Sequence, residues 1–200
     1  MQSLPRKLLA LVGLTIWILS SCASTPPISS PAVEIEQQRI TQLNREIIAL
    51  GKNVDPHEAR LAATIAIRYS RKLAQEYDIS GSAIGHNLKV NLGLRDRGLC
   101  IHWTEDLLTR LQQERFQSLD LHWAIANYEA TFRLEHSTVI ISARNDSLYQ
   151  GLVLDPWRHT GDLFWSPTLA DRQYPWRPKA EIMALKRIDQ AAAQDPRVFR

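Results

Sequence analysis

The first half of the chain carries apolar residues at helical spacing. Ile40, Leu43, Ile47 and Leu50 recur every three or four positions, so they would share one face of a helix. Gly51 stands where a C-terminal cap belongs. The pattern predicts a first helix that ends close to residue 50.

The next segment opens with a helix-start signal, DPHE at residues 55–58. Asp55 is expected to be the N-cap, Pro56 the first helical residue, and Glu58 the reciprocal partner in a capping box. The apolar spacing then continues to about residue 78, where the stretch SGSAIG interrupts it. A short apolar piece at residues 86–94 predicts a third helix.

A further helix is predicted to begin at Cys100. The sequence CIHWTEDLLTRL places four apolar residues on one helical face, namely Trp103, Leu107, Leu108 and Leu111. A cysteine at a helix start lies beside unpaired backbone N–H groups and the positive end of the helix dipole. Both features lower the pKa of a thiol, and the same N–H groups can bind an oxyanion.

The second half of the chain has the character of strands. Apolar or β-branched runs occur at residues 119–128, 133–143, 151–157 and 162–167, and a last helical pattern covers residues 179–193. Helices followed by strands that pair as an antiparallel sheet predict an α+β fold.

The N-terminus has the features of an export signal. Arg6 and Lys7 precede an apolar run at residues 8–19 that is short for a membrane span, and LSSC follows at residues 19–22. This arrangement resembles the lipobox of bacterial lipoproteins, in which the cysteine is acylated and becomes the mature N-terminus. Cys22 would then be the lipid attachment point; the alternative is an ordinary cleaved signal with an incidental cysteine.

The resemblance also implies a location and a domain organisation. Ala23, rather than Asp, after the cysteine favours the outer membrane of the bacterial envelope, with the protein facing the periplasm. Residues 1–21 would be the signal peptide, and residues 22–34 the lipidated N-terminus with a Pro/Ser tether. Residues 35–200 would form a single domain, a size that suits one core.

Charge excludes one class of partner. The full chain has a formal net charge of +3, and loss of Arg6 and Lys7 with residues 1–21 leaves +1 on 179 residues. Because no concentrated basic run remains, nothing in the mature domain favours binding to nucleic acid.

With Cys22 acylated, Cys100 would be the only thiol, in a compartment where disulfides form. Such a residue is either buried or functional. A reactive cysteine needs a base within hydrogen-bonding reach and a third group that orients the base. His136, at the start of one predicted strand, and Asp155, at the end of the next, can meet on neighbouring antiparallel strands.

These motifs resemble the transglutaminase-like branch of the papain-fold cysteine hydrolases, including the bacterial transglutaminase-like cysteine peptidases. The resemblance covers roughly residues 85–166 and rests on GLC at 98–100, EHSTVII at 135–141 and LVLDPW at 152–157. It implies a papain-like core with Cys100 as nucleophile, His136 as general base and acid, and Asp155 as orienting carboxylate. The chain departs from the family pattern directly after the cysteine, where Ile101, His102 and Trp103 follow.

Further residues are candidates for the cleft around this site: His102, Trp103, His122 and Trp157. For the tryptophans the favoured alternative is packing in the core, and for His122 it is a hydrogen-bonded position on the sheet. A second oxyanion donor beside the Cys100 N–H stays open between Asn87, Asn91 and a tryptophan indole. Cys100 and His102 could not share a metal ion, because residues i and i+2 of a helix point roughly 200° apart. No metal and no other cofactor is expected.

Two function classes follow. The first is a lipid-anchored envelope cysteine hydrolase or acyltransferase that acts on peptide or isopeptide bonds. The second is a non-catalytic envelope lipoprotein that uses a degenerate transglutaminase-like fold to bind a protein or a cell-wall peptide. In both, the partner would be a peptide or protein of the envelope, such as a peptidoglycan stem peptide, and the membrane would be reached through Cys22.

Overall fold

A computed structural model describes residues 30–130 and 133–194 of the chain, so the predicted export signal and Cys22 lie outside the described residues. Four helices come first, and a sheet and a last helix follow. The helices are α1 (Pro31–Ile48), α2 (Pro56–Glu76), α3 (Ala83–Asn91), α4 (Cys100–Gln112) and α5 (Lys179–Ala193). The strands are β1 (Leu119–Ala126), β2 (His136–Ala143), β3 (Leu152–Asp155), β4 (Phe164–Pro167) and β5 (Arg177–Pro178).

The strands form one antiparallel sheet in the order β4-β3-β2-β1-β5. The predicted α+β class is therefore confirmed, as is the helix that begins at Cys100 and packs on the sheet. β5 is absent from the sequence prediction. It has only two residues, one of them Pro178, and so shows no alternation of apolar and polar positions.

The start of α2 at Pro56, after the N-cap Asp55, is as predicted, but the predicted starts of the first and third helices need correction. α1 begins at Pro31, inside the segment predicted as tether, because proline is favourable at a first helical position. α3 begins at Ala83, not at residue 86, because the Ser82 side chain accepts a hydrogen bond from Gly85 N.

The capping box predicted for α2 forms only in part. Asp55 does accept hydrogen bonds from the N–H groups of His57 and Glu58. Glu58, however, does not bond back to Asp55; its carboxylate accepts the N–H groups of Gln117 and Ser118 at 2.7 and 2.8 Å. The start of α2 is thereby fixed to the segment that leads into β1.

The sheet separates two apolar clusters. On one face, Val139 and Ile141 of β2 pack with the buried sides of α1, α2 and α4. On the other, Ile140 of β2 and Val153 of β3 pack with Trp176. Since successive strand residues alternate between faces, His136 belongs with Ile140, whereas Ser137 faces α4 and lies 3.2 Å from the Thr104 hydroxyl.

In the described part of the chain, no helix combines the length and the apolar character that crossing a bilayer requires.

Candidate functional site

The start of α4 is held by a loop that only glycine fits. Gly98 has φ +120°, and a Cβ there would lie 2.4 Å from Nε2 of His86. The buried His86 hydrogen-bonds the carbonyl of Arg97 at 2.9 Å, and the Trp103 indole donates to the Gly98 carbonyl at 2.9 Å. These contacts fix the loop that leads into Cys100, the half-buried first residue of α4.

The first N–H groups of α4 differ in their partners. Nδ1 of His102 accepts from the backbone N–H groups of Gly98 and Leu99, at 3.1 and 3.4 Å. The Cys100 N–H, as the first of the helix, has no partner within it. It is therefore available to a negatively charged oxygen next to the thiol.

His136 and Asp155 form a buried pair. Nε2 of His136 lies 2.7 Å from Oδ2 of Asp155, and the two residues are 2% and 0% exposed. β2 and β3 pair with Val139 opposite Leu154, so one further step puts Asp155 opposite Thr138. His136 is then a diagonal neighbour of Asp155 on the same face of the sheet.

Cys100 meets this pair at the first residues of β2. Its Sγ lies 3.8 Å from the carbonyl oxygen of Glu135, and the Ser137 N–H also interacts with the sulfur. Nδ1 of His136 is buried and has no hydrogen-bonding partner of its own among the described residues. Because Nε2 is engaged by Asp155, Nδ1 is the nitrogen that can exchange a proton with the thiol.

The electrostatics favour a charged pair. Burial alone would raise the pKa of the Cys100 thiol, but the neighbouring His136 imidazole, with the Ser137 N–H, holds that pKa below its ordinary value. Burial would likewise lower the pKa of His136, but the Asp155 carboxylate and the Cys100 thiolate raise it to about 9. The thiolate and the imidazolium therefore stabilise each other.

Three aromatic rings surround the imidazole. The ring centroids of Trp157, Tyr174 and Trp176 lie 4.6, 4.6 and 5.4 Å from that of His136. Electron-rich ring faces stabilise a cation, and the rings also exclude water from the hydrogen bond to Asp155.

Asp155 has a second partner beneath the imidazole. Arg158 donates to Asp155 through its backbone N–H and its Nε, both at 3.2 Å, and its other end reaches Asp171 at 2.7 Å. The Arg158 and Asp171 side chains are 9% and 2% exposed. The guanidinium also lies 3.8 Å from the centroid of the Phe164 ring. Asp155 is thus fixed by a buried ionic network as well as by His136.

A cleft of about 380 Å³ opens beside the sulfur. One side is formed by α3, through Asn87 and Asn91, and the other by β1 and α5. Its apolar residues include Ile101, Trp123, Ile125, Leu134 and Met183, and its charged ones are Glu135, Lys179 and Lys186. A slightly larger cavity, which includes Arg133 and Ile182, does not contain Cys100.

One of the two asparagines that line the cleft, Asn87, has a defined orientation. Oδ1 of Asn87 accepts the indole N–H of Trp157 at 3.0 Å. Since the oxygen is engaged, the amide nitrogen of Asn87 is the group available to donate into the cleft. Of the second oxyanion donors that the sequence leaves open, Asn87 is the one whose orientation is fixed in this way.

The structure brings Cys100, His136 and Asp155 together and puts the four cleft candidates elsewhere. His102 accepts backbone N–H groups at the helix start, and Trp103 is 1% exposed in a core cluster. His122 bonds the Ser142 hydroxyl at 2.8 Å on the sheet. Trp157 packs on the imidazole. None of the four lines the cleft, and the described residues include no cluster suited to a metal ion.

Several residues around the site are absent from the sequence prediction. Lys179 lines the cleft, and Tyr174, Trp176 and Asp171 surround the His136–Asp155 pair. No local spacing in the sequence identifies these residues. They belong to the segment around β5, which reaches the site only because β5 pairs with β1.

No protein-family profile, no curated protein and no solved structure matches this chain. What the site can do therefore rests on its own geometry.

Proposed function

We propose that the protein is a cysteine hydrolase or acyltransferase that acts on amide bonds through Cys100, His136 and Asp155. One observation carries the proposal. A helix-start thiol with a lowered pKa lies beside a buried imidazole whose far nitrogen is held by a carboxylate at 2.7 Å. This is the arrangement that activates a nucleophile, orients its base and supplies an N–H for an oxyanion.

The first half of the reaction forms a thioester. The Cys100 thiolate attacks the amide carbon, a C–S bond forms, and the carbonyl electron pair moves to oxygen. The backbone N–H of Cys100 and the amide of Asn87, which lines the same cleft, are the proposed donors to that oxyanion. As the C–N bond breaks, the His136 imidazolium gives its proton to the leaving amine.

The second half restores the enzyme. The neutral imidazole takes a proton from water, or from an acceptor amine, while that molecule attacks the thioester. The C–S bond then breaks and the thiolate re-forms beside the imidazolium. Asp155 keeps its charge throughout and holds the proton on Nε2.

We further propose a transglutaminase-like, papain-type core and an envelope location. The order of a cysteine at a helix start, a histidine at a strand start and an aspartate at the next strand end supports the core assignment. The lipobox-like LSSC supports lipid anchoring through Cys22 at the outer membrane, facing the periplasm. The substrate would then be an envelope protein or peptide, and a peptidoglycan stem peptide is one such molecule.

Alkylation by iodoacetamide tests the proposal without a known substrate. At pH 6 Cys100 should react faster than a model thiol, since a lowered pKa increases the fraction of thiolate. His136→Gln should bring the rate close to that of the model thiol, and Cys100→Ser should abolish labelling. Equal rates in the wild type and His136→Gln would contradict an activated thiol.

The binding-protein alternative has an observation of its own. Ile84, Leu88 and Leu92 form an exposed apolar stripe on α3, the helix whose Asn87 and Asn91 line the cleft. A non-catalytic lipoprotein could bind a partner with this stripe. It would show slow alkylation at pH 6 that His136→Gln does not change, so the same experiment separates the two classes.

A further inference from the structure

Two lysines, Lys179 and Lys186, line the cleft, and they differ in their ion pairing. Nζ of Lys186 pairs with Glu135 at 2.7 Å, so this charge is largely neutralised within the protein. Lys179 has no carboxylate within ion-pairing distance among residues 30–130 and 133–194. The cleft therefore holds one positive charge that the described residues do not compensate.

Lys179 is also held in place. Its Nζ lies 3.3 Å from the centroid of the Trp123 ring, a cation–π contact with a residue that itself lines the cleft. Its backbone is fixed because Lys179 directly follows β5, where Pro178 pairs with Ala124 of β1. The ammonium thus belongs to the wall of the cleft and is not a free surface group.

The rest of the cleft surface is apolar to a large extent. Ile101, Leu134 and Met183 line it and are 48%, 62% and 38% exposed. Removing apolar surface of this kind from water contributes favourably to the free energy of ligand binding. A complementary ligand would combine apolar side chains with one carboxylate.

We propose that the cleft selects peptides that carry a carboxylate close to the bond attacked, flanked by apolar residues, and that Lys179 is the residue that binds this carboxylate. The inference rests on the proposed function, because it names the substrate class of the same cleft. A charge-assisted hydrogen bond to the ammonium should give an acidic probe about a tenfold advantage over its neutral isostere.

Matched covalent probes test this preference. Peptidyl epoxides with an apolar residue and either Glu or Gln beside the reactive carbon are made in both chain directions, so that the variable residue samples both sides of the cleft. The second-order rate of labelling at Cys100 is measured by intact-protein mass. The readout is the ratio of the Glu-probe rate to the Gln-probe rate within each variant. Differences in thiol reactivity between variants cancel in this ratio.

In at least one direction the wild type should favour the Glu probe about tenfold, and high salt should reduce that ratio because it screens the charge. Lys179→Gln should bring the ratio close to one, and Lys179→Glu should invert it. Lys52→Gln is the matched control, since Lys52 lies by a different cavity and its removal changes the net charge equally.

Iodoacetamide labelling at pH 6 on the same preparations distinguishes a failure of the carboxylate preference from a failure of the proposed function. An activated thiol with equal Glu and Gln rates in both directions overturns the carboxylate preference alone. If the Glu preference persists in Lys179→Gln, Lys179 is not the residue that binds the carboxylate. A thiol that is not activated overturns the proposed function itself.

Discussion

Nε2 of His136 and Oδ2 of Asp155 lie 2.7 Å apart in a site that water does not reach. A carboxylate buried this deeply is strongly destabilised unless its charge is compensated. Here the compensation comes from two sides, from the imidazole and from Arg158. The relationship makes Asp155 both the orienting group of the proposed triad and a structural anchor of the turn after β3.

Asp155→Asn should therefore affect both reactivity and stability. Loss of the charge lowers the pKa of His136 and weakens the thiolate, so Cys100 alkylation at pH 6 should fall about tenfold. Arg158 keeps Asp171 but loses one charged partner, and the free energy of unfolding should fall by about 1–3 kcal/mol. Stopped-flow alkylation and urea unfolding measure the two effects. Wild-type alkylation by the folded variant would restrict Asp155 to a structural role.

The expected loss of stability in Asp155→Asn could not be predicted from the sequence. The motif LVLDPW predicts an aspartate at a strand end, for which an asparagine is nearly isosteric and little loss of stability is expected. The hydrogen bonds from Arg158 to Asp155 are local, but the bridge from Arg158 to Asp171, which holds the guanidinium in place, depends on the path of the chain after β4. No spacing in the sequence encodes that path.

The pH dependence of any amide hydrolysis should have an alkaline limit near pH 9. The raised pKa of His136, about 9, means that the imidazolium needed by the leaving amine persists to that pH and is lost as the pH rises through it. The lowered pKa of Cys100 means that the thiolate persists below the ordinary titration range of a thiol. Turnover of a fluorogenic peptide from pH 5 to 10 measures both limits. An alkaline limit close to pH 6.5 would contradict the ion pair.

Gly98→Ala should lower the free energy of unfolding by more than the backbone strain at this position alone would do. Its φ of +120° is strained for alanine, at about 1–3 kcal/mol, and the added Cβ would overlap the His86 ring. Gly93→Ala is the matched control, since Gly93 has φ +72° but no atom within 4 Å of the added Cβ. Thermal unfolding should show a larger loss for Gly98→Ala. Equal losses would show that the approach of His86 is unimportant.

The sequence predicted the order of elements and the three central residues because each rests on local signals. Apolar periodicity marks α4 and β2, and Pro156 ends β3 directly after Asp155. The walls of the site depend on long-range packing instead. Trp103 has two interpretations from the sequence, as a cleft candidate and as a member of the apolar face of α4, and it lies on the face that packs into the core, as the apolar periodicity predicts.

Cys22→Ser tests the proposed anchor, which lies outside the described residues. Without a thiol to acylate, the protein should leave the membrane fraction or remain unprocessed at its signal peptide. Cell fractionation with metabolic labelling by a fatty acid measures the change, and Cys100→Ser is the control that should keep its label. A Cys22→Ser protein that still carries the fatty acid would rule out the lipobox interpretation.

Asn87→Ala should weaken oxyanion binding more than thiol reactivity. A peptide aldehyde adds to Cys100 as a thiohemiacetal whose oxygen needs a donor, whereas alkylation by iodoacetamide creates no oxyanion. Losing one donor should therefore lower aldehyde affinity at least tenfold, since removal of such a group costs about 2.7–4 kcal/mol in established cases. The variant also leaves the Trp157 indole N–H without its acceptor, so its unfolding free energy is measured alongside.

Asn91→Ala serves as the matched control for that variant. Asn91 lines the same cleft one helical turn away, and it makes no side-chain hydrogen bond with the described residues. It should change aldehyde affinity less than Asn87→Ala does. Equal losses of aldehyde affinity and alkylation rate in Asn87→Ala would mean that Asn87 acts by supporting Trp157 and His136, and the Cys100 N–H would then be the only oxyanion donor that the structure supports.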